Sequence, residues 1–405
     1  MKFKDFATLI VLGMAGGTIF LLPYMKYYFY NQMIDNTGVS GESLGLFVTM
    51  FGIASALVLL PGGMIADRLS SRKCIITSLI ATSLLTILYS FLYTSYLASL
   101  IIWFLLAFTT LFLAWPAIFK SVRVIGGGNA CTAYSIYYAA VGLTGALVGY
   151  ITIKVYSFLS VIALANSYFG AIWVSAIANV GVAIALYYLL RDIKTDTEND
   201  SRLPSIRESL SVLKMPSIWI ISITLFCTYT LYMGMSFFTP YLTKTFHMSD
   251  ETSGTLSLVR SYVFMSLTPI TGIIADRFFK STLKWFLLVC PIIIISLLLV
   301  MAIGENSHFH VTIMVLTLLI GFFVCTVYAS MFSILSECKI PLAVAGTAIG
   351  FASIFAYTPD MIMQPLFGYF VDTNQYYLIF LILIIMAILS AISCIALLYL
   401  NKKQL

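Results

Sequence analysis

Two ionisable side chains, Arg260 and Asp360, lie deep inside long apolar runs of this sequence, where a charge is costly. Arginine keeps its proton, so a buried guanidinium needs an anion, supplied either by a neighbouring residue or by a ligand. We expect Arg260 to bind the negative charge of a small organic solute, with Asp360 as its resting partner and as a protonation site. The alternative is that the two residues simply neutralise each other.

Lys26 and Gln364 are further candidates for contact with a ligand. Lys26 lies in the stretch PYMKYYFYN, near enough to one end of its apolar run for the ammonium group to reach water instead. The tyrosines around it fit an interfacial aromatic belt equally well. Gln364 is an amide in the same apolar run as Asp360.

The composition places these residues in a membrane protein. Hydrophobic residues make up 61% of the chain and charged residues only 9%, with a mean hydropathy of +1.01. A soluble fold needs more charge than this to cover its surface. The apolar runs are long and do not alternate with polar residues, so they predict helices and not the strands of a barrel.

Twelve of these runs are long enough to cross the ~30 Å hydrocarbon core as helices. Their limits are 6–29, 43–65, 74–94, 96–119, 131–155, 167–190, 217–240, 252–274, 285–303, 311–335, 342–370 and 376–400. The first run is too long for a secretion signal and lacks a cleavage pattern, so we expect it to stay in the protein. The predicted fold class is an all-α membrane protein with twelve transmembrane helices.

The distribution of basic residues predicts the orientation. With the N-terminus in the cytoplasm, 18 of the 22 Lys and Arg residues fall in inner segments, the exceptions being Lys26, Lys154, Lys244 and Arg260. We therefore expect a monomeric, multi-pass protein of the inner (cytoplasmic) membrane, surrounded by lipid, with both termini in the cytoplasm. The basic residues are spread over every inner loop, which does not fit a nucleic-acid-binding face.

The chain divides at the polar segment 191–214, which holds five basic and five acidic residues. We predict an N-terminal six-helix bundle over 1–190, a cytoplasmic linker over 191–214 and a C-terminal six-helix bundle over 215–405. The halves are related by an internal repeat, because a shift of 209 residues superimposes several motif residues. The matching pairs are Gly63 and Gly272, Asp67 and Asp276, and Arg68 and Arg277.

Repeats in the same orientation predict two similar bundles related by a pseudo-twofold axis along the membrane normal. With these features the sequence resembles the major facilitator superfamily of secondary transporters over its whole length. The superfamily's loop signature reads G-x-x-x-D-R/K-x-G-x-R/K-R/K. Here Gly63 occupies the first glycine position, and the charged positions are occupied by Asp67, Arg68, Arg72 and Lys73. Ser70 stands in place of the second glycine.

The resemblance implies a gating role for these loop residues and for Gly272, Asp276 and Arg277 of the second copy. It implies that the aspartate meets the N-terminus of a helix from the same bundle, where a carboxylate is stabilised. The alternative to a gating role is that the Asp–Arg pair only follows the positive-inside rule. The second copy of the motif at the same repeat offset argues against this alternative.

The resemblance also implies that the fourth and fifth spans line the passage, which makes Trp115, Tyr137 and Tyr138 candidate substrate contacts. Packing between helices is the alternative for each of them. Lys26 is similar to the basic residues in span one of the organic-phosphate antiporters. The arginine in span eight is similar to that of the oxalate–formate exchangers, which pair it with a lysine in span eleven where this chain has Asp360.

The predicted function is secondary active transport of a small organic solute, an organic anion if Arg260 binds it, by proton coupling or exchange. The alternatives are a drug/proton antiporter for neutral or cationic compounds and a channel. The sequence has no GxxxxGK[ST] phosphate loop, and its three histidines, His247, His308 and His310, fall in outer loops. We therefore expect neither an ATP-driven pump nor an enzyme, and no metal or cofactor.

Overall fold

The all-helical expectation is confirmed. The computed structural model describes residues 3–39, 41–162, 167–189, 205–248, 252–253, 256–257, 259–304 and 309–403, and apart from short turns these ranges are helical. Apolar runs take this form because hydrocarbon offers no hydrogen-bond partners, so each helix must satisfy its own backbone groups. The predicted linker 191–214 lies outside the described residues up to residue 204.

The first of two compact units contains Met1–Ile125, Ala140–Val212 and Pro341–Phe351. Its most extensive packing joins α4 to α8 and α3 to α5, and α1 also packs against α8. The helices that supply it are α1 (Phe3–Ile19), α2 (Lys26–Thr37), α3 (Gly41–Ala66), α4 (Ser71–Leu92), α5 (Tyr96–Ala107), α6 (Ala114–Gly126), α7 (Ala130–Val161, from residue 140 onward), α8 (Ser167–Leu189) and α9 (Ile206–Ser211).

The second unit contains Gly126–Ala139, Leu213–Ile340 and Ala352–Leu405. Its helices are α10 (Pro216–Gly234), α11 (Phe238–Phe246), α12 (Phe264–Ile274), α13 (Thr282–Ile303), α14 (His310–Ser330), α15 (Ile334–Glu337), the end of α16 (Ala345–Tyr357), α17 (Pro359–Asp372) and α18 (Tyr376–Lys403). Here α18 packs against α10 and α13, and α14 packs against α12 and α13. The first residues of α16 belong to the first unit, and the first residues of α7 belong to the second.

Nine helical stretches of the described residues are long and apolar enough to cross a membrane. One of them, Tyr96–Val161, is 66 residues long and contains two predicted spans, 96–119 and 131–155. The predicted span 6–29 is not among the nine because α1 has only 17 residues and turns follow it. The predicted span 252–274 includes residues outside the described ranges. Within the described residues, each of the twelve predicted spans thus contains helical structure, with turns interrupting the first.

Three π-helical segments interrupt the helices of the described ranges, at Phe108–Phe112, Val259–Val263 and Ala275–Phe279. A π turn inserts one residue into the helical repeat, which changes the direction of the side chains around it, and such turns are common at functional sites. The second segment contains Arg260 and the third contains Asp276. Both residues were singled out in the sequence.

Candidate functional site

Asp67 follows α3 directly and is fully buried. Its carboxylate accepts three hydrogen bonds from the start of α16: from the backbone N–H of Gly346 at 2.7 Å, from that of Thr347 at 2.8 Å and from the Thr347 hydroxyl at 2.7 Å. The first N–H groups of a helix lack partners within the helix and carry partial positive charge, so they stabilise a carboxylate. Asp67 therefore joins the end of one helix to the start of another.

The helix start that receives Asp67 comes from the half of the sequence predicted as the second bundle, 215–405, whereas the resemblance implied a helix from the bundle predicted over 1–190. Glycine permits the approach of the two helices. A Cβ atom on Gly63 would lie 2.2 Å from the carbonyl oxygen of Gly346, and one on Gly346 would lie 2.7 Å from the carbonyl oxygen of Gly63. The first glycine of the loop motif is thus required by a backbone-to-backbone contact.

Lys120, to which the sequence assigned no role, is the counterion of Asp67. Its ammonium nitrogen lies 3.6 Å from Oδ1 of Asp67, and both side chains are buried. Within the described residues this nitrogen has no hydrogen-bond partner, so the carboxylate compensates its charge. Burial raises the pKa of the Asp67 carboxyl above its ordinary value, while Lys120 and the bonds from Thr347 and Gly346 offset part of that rise.

The second copy of the motif makes the equivalent contact. Oδ2 of Asp276 accepts a hydrogen bond from the backbone N–H of Thr132 at 2.7 Å and one from the Thr132 hydroxyl at 2.6 Å, at the start of α7. A Cβ atom on Gly272 would lie 2.6 Å from Oγ of Ser135. Again the helix that receives the carboxylate comes from the opposite half of the sequence. The internal repeat is therefore a repeat of contacts as well as of residues.

The basic residues of the loop motif have separate surroundings. Arg72 donates a hydrogen bond of 2.6 Å to the backbone carbonyl of Tyr187 on α8, and its guanidinium carbon lies 4.3 Å from the centre of the Tyr187 ring. Lys73 and Arg277 are exposed, and Arg68 is half-buried. Arg72 is thus held against α8 by a hydrogen bond and a cation–π contact.

Arg260 is one of the largest fully buried side chains, with 1% of its surface exposed. Nη2 donates a hydrogen bond of 3.0 Å to the Thr239 hydroxyl, whereas Nη1 has no hydrogen-bond partner among the described residues. The aliphatic part of the side chain lies over Gly321, where an added Cβ would be 2.7 Å from Cγ of Arg260. The Cys325 thiol donates to the Arg260 carbonyl at 3.3 Å. The guanidinium is therefore fixed in place with one unused donor group.

Asp360 stands in the first turn of α17 and is half-buried. Its Oδ2 accepts a hydrogen bond of 2.6 Å from the Tyr229 hydroxyl. The expected resting pair of Arg260 and Asp360 is absent between these two described side chains, since Arg260 donates to Thr239 and Asp360 accepts from Tyr229. Similar depth in the membrane does not make two side chains face each other, and here each is held by a different neighbour.

Five tyrosines surround the Asp360 contact and form what we call the tyrosine cluster: Tyr138, Tyr229, Tyr232, Tyr328 and Tyr357. The rings of Tyr232 and Tyr328 stack at 3.8 Å, and the rings of Tyr229 and Tyr357 meet edge to face at 4.8 Å. Tyr138 lies 5.0 Å from Tyr328. Among these residues only Tyr138 was a sequence candidate.

The spacing of Tyr229 and Tyr232, three residues apart on one face of α10, is the signal that sequence reasoning missed. Tyr137, the second candidate on α7, is fully buried and lies 5.1 Å from Tyr138, at the edge of the tyrosine cluster. The structure therefore brings both α7 candidates next to the Asp360 environment, inside one compact unit.

Three sequence candidates remain: Trp115, Gln364 and Lys26. Trp115 belongs to the first unit, where its ring lies 4.4 Å from that of Phe119 and 5.6 Å from that of Phe20. Gln364 is half-buried on α17, one turn after Asp360. The side chain of Lys26 lies outside the described part of the structure.

The all-helical fold and the twice-repeated aspartate contact are those of a secondary transporter. The model of the Major Facilitator Superfamily matches residues 5–360, and the chain belongs to that family. It is a multi-pass integral membrane protein and a transporter, not an enzyme.

Two proteins of Escherichia coli (strain K12) are similar in sequence. The inner membrane protein YihN is 27% identical over 381 residues, which is 92% of this chain and 89% of YihN. The inner membrane protein YqcE is 26% identical over 384 residues, or 92% of this chain and 88% of YqcE.

Among solved structures, the fold is similar to that of FucP, a Major Facilitator Superfamily transporter in the outward conformation. The TM-score is 0.72 at 16% identity, covering 97% of this chain and 98% of FucP. A second FucP structure, described as the Escherichia coli fucose:proton symporter, gives a TM-score of 0.68 at 16% identity, with the same coverage of each chain.

Proposed function

We propose that this transporter carries a small organic anion and that Arg260 binds its negative charge. The observation that carries the proposal is that Nη1 of this side chain, which is 1% exposed, donates to no described residue. Among the described residues no carboxylate pairs with the guanidinium either, and a buried charge without a counterion costs roughly several kcal/mol, so it persists where function needs it. An anionic group on the solute would supply both the missing charge and the missing acceptor.

Asp360 is the proposed site of proton coupling. Asp360 is half-buried, and Tyr229 donates to one of its two carboxylate oxygens. A carboxylate in such a place binds and releases a proton as its surroundings change. The similarity in fold to a fucose:proton symporter supports coupling to protons. The alternative mode of transport is the exchange of one solute for another.

We place the protein in the inner membrane, as a monomer surrounded by lipid, with both termini in the cytoplasm. The names of YihN and YqcE as inner membrane proteins support the assignment to the inner membrane. The excess of Lys and Arg in the predicted inner segments supports the orientation. In this orientation the Asp67 and Asp276 contacts lie at the cytoplasmic ends of their helices, where we assign them a gating role.

Transport by purified protein in liposomes tests the substrate proposal. Arg260→Lys keeps the charge but loses the planar, two-pronged donor, and hydrogen bonds to charged groups are worth about 1.5–3 kcal/mol, which predicts roughly a tenfold to hundredfold loss in anion uptake. Arg207→Lys, on the exposed side of α9, is the matched control and should transport normally. Equal uptake and equal melting temperature for Arg260→Lys and wild type would refute the proposal.

Asp360→Asn tests the coupling. The amide imitates the protonated acid, so the variant should lose accumulation driven by a proton gradient and keep solute exchange. For a drug/proton antiporter of neutral or cationic compounds, the result would differ: Asp360→Asn would abolish binding itself, and Arg260→Lys would change only the melting temperature. Measuring uptake, exchange and melting temperature for both variants separates the two functions.

A further inference from the structure

Two groups of side chains with different chemistry lie in the second unit at a fixed separation. One is Arg260 with Thr239, which we call the cationic end. The other is the tyrosine cluster with Asp360. Along α10 and α11, Tyr232 precedes Thr239 by seven residues. With about 1.5 Å per residue in the α-helices and about 2.0 Å in the 3-10 turn Met235–Phe237, the backbone positions of Tyr232 and Thr239 are separated by roughly 10–12 Å along the axis.

A second helix gives the same distance independently. On α14, Gly321 lies beneath the Arg260 side chain, and Tyr328, which stacks on Tyr232, follows it by seven residues. Cys325 lies between them and donates to the Arg260 carbonyl. Two helices therefore separate the backbone positions at the cationic end from those of the stacked tyrosines by about 10 Å along their axes.

The chemistry of the tyrosine cluster favours hydroxyl groups on the ligand. Each phenol donates and accepts a hydrogen bond, and the Asp360 carboxylate accepts from hydroxyls. Tyr229, Tyr232, Tyr357 and Asp360 are all half-buried, so they retain surface for contact. A flat ring bearing C–H groups on its face and hydroxyls on its rim matches an aromatic surface with polar edges.

An ammonium ligand fits the cluster less well. Cation-binding aromatic cages place ring faces around a central space. Here the rings contact one another instead, at 3.8 Å between Tyr232 and Tyr328 and at 4.8 Å between Tyr229 and Tyr357. The Asp360 charge is also already stabilised by the Tyr229 hydroxyl at 2.6 Å.

We infer that the solute is a monosaccharide-sized sugar anion. Its anionic group binds Arg260 and Thr239, and its hydroxyl-bearing ring lies against Tyr232 with hydroxyls toward Tyr229 and Asp360. A spacing of about 10 Å holds one six-carbon sugar and is too short for a disaccharide. The inference rests on the proposed transport of an organic anion and narrows it to one substrate class.

Ligand-induced stabilisation and calorimetry of the purified protein test the inference. The probes are glucuronate and glucose 6-phosphate, neutral glucose, cyclohexanecarboxylate as an anion with a ring but no hydroxyls, and 6-aminohexanoate as a zwitterion. We expect a rise in melting temperature with at least one of the two sugar anions and none with the other three, because a ligand of the native state stabilises it by mass action.

The outcomes distinguish the two levels of the proposal. Binding of cyclohexanecarboxylate as tight as that of glucuronate would leave anion transport standing and overturn the sugar class. Binding of glucose as tight as that of the sugar anions would overturn anion recognition, and the sugar-anion inference with it. Selective binding of 6-aminohexanoate, or no binding of either sugar anion by folded protein, would also overturn the inference.

Variants of Tyr232 test the geometry. Loss of one aromatic contact predicts about a tenfold weaker affinity for the sugar anion in Tyr232→Leu, whereas Tyr232→Phe keeps the ring and should lose much less. Tyr369→Phe, on the exposed side of α17, is the control and should bind as wild type does. Equal affinities for Tyr232→Leu and Tyr232→Phe, with both variants folded, would exclude Tyr232 from the site.

Discussion

At the scale of single residues, the environment of Arg260 depends on a neighbour that has no side chain. Gly321 leaves room for the aliphatic part of the arginine, whose Cγ and Cδ would lie 2.7 and 3.0 Å from an added Cβ. The guanidinium reaches Thr239 only because its stem passes over this glycine. The position of the charge is thus set by the absence of one methyl group.

Gly321→Ala should therefore displace Arg260. We expect overpacking to lower the free energy of unfolding by about 1–3 kcal/mol and to reduce anion uptake strongly, since Nη1 and Nη2 would move from their positions. Gly368→Ala is a matched control in the same unit, because an added Cβ there meets no atom within 4 Å. Uptake in liposomes and melting temperature measure the difference, and normal uptake by Gly321→Ala would contradict the argument.

The sequence located Arg260 and Asp360 at comparable depth but paired them wrongly. Counting residues along a helix gives the height of a side chain in the membrane. It does not give the direction in which the side chain points, and the π turn at Val259–Val263 changes that direction further. Tyr229 and Thr239, which are the actual partners, sit on a different span and leave no charge signal in the sequence.

At the scale of helices, the recurrent element is a carboxylate at the start of another helix. Asp67 binds the start of α16 and Asp276 binds the start of α7. Glu337, at the end of α15, does the same for α13, accepting from the Leu283 N–H at 3.0 Å and from the Ser281 hydroxyl. Each contact pairs a full negative charge with the positive end of a helix, which is favourable where water is excluded.

The close approach of α3 and α16 at Gly63 and Gly346 gives a second prediction. In Gly63→Ala the new Cβ would lie 2.2 Å from a backbone carbonyl oxygen, and no side-chain rotation relieves that clash. We expect α3 and α16 to separate, with a loss of about 1–3 kcal/mol in the free energy of unfolding and weaker Asp67 bonds.

Gly52→Ala, on the same helix α3, is the control, because nothing lies within 4 Å of its added Cβ. Melting temperatures of the two variants in detergent test the idea. If Gly63→Ala melts at the same temperature as Gly52→Ala, the close approach of α3 and α16 does not contribute to the stability of the protein.

At the scale of the whole molecule, much of the architecture was predictable. Twelve apolar runs, a polar segment in mid-chain and the paired loop motifs indicated the family, because hydropathy and spacing are local properties. The helix that receives Asp67 was not predictable, since the sequence shows the motif with the accepting aspartate but nothing that marks Gly346 and Thr347 as its donors. The division into bundles 1–190 and 215–405 remains a prediction.

The proposed gating by Asp67 belongs to this scale. Asp67→Ala leaves the buried Lys120 without its counterion, which typically costs about 3–5 kcal/mol, so we expect a lower melting temperature. Asp67→Ala with Lys120→Met removes both charges and should recover part of that loss. If the contact is made in one conformation and not in the other, as the gating proposal requires, both variants should shift the balance of conformations.

Maleimide labelling of cysteines introduced at the two ends of the protein measures the shift. We expect faster labelling at the predicted cytoplasmic end in both variants and unchanged labelling in Asp35→Ala, an exposed acidic residue outside the motif. Identical labelling of both ends in Asp67→Ala and wild type would show that the contact does not gate.

The two aspartate contacts also become possible at different times during synthesis of the chain. Thr132 precedes Asp276 by 144 residues, so the partner of the second aspartate is already made when that aspartate emerges. Asp67, in contrast, is made before its partner Gly346, which follows it by 279 residues. At about 5–20 residues per second this delay is on the order of 15 to 60 s. Lys120 emerges far sooner, so the growing chain has its counterion for Asp67 long before the helix start arrives. We therefore expect the pair of Asp67 and Lys120 to form before the bonds to the start of α16 complete the contact.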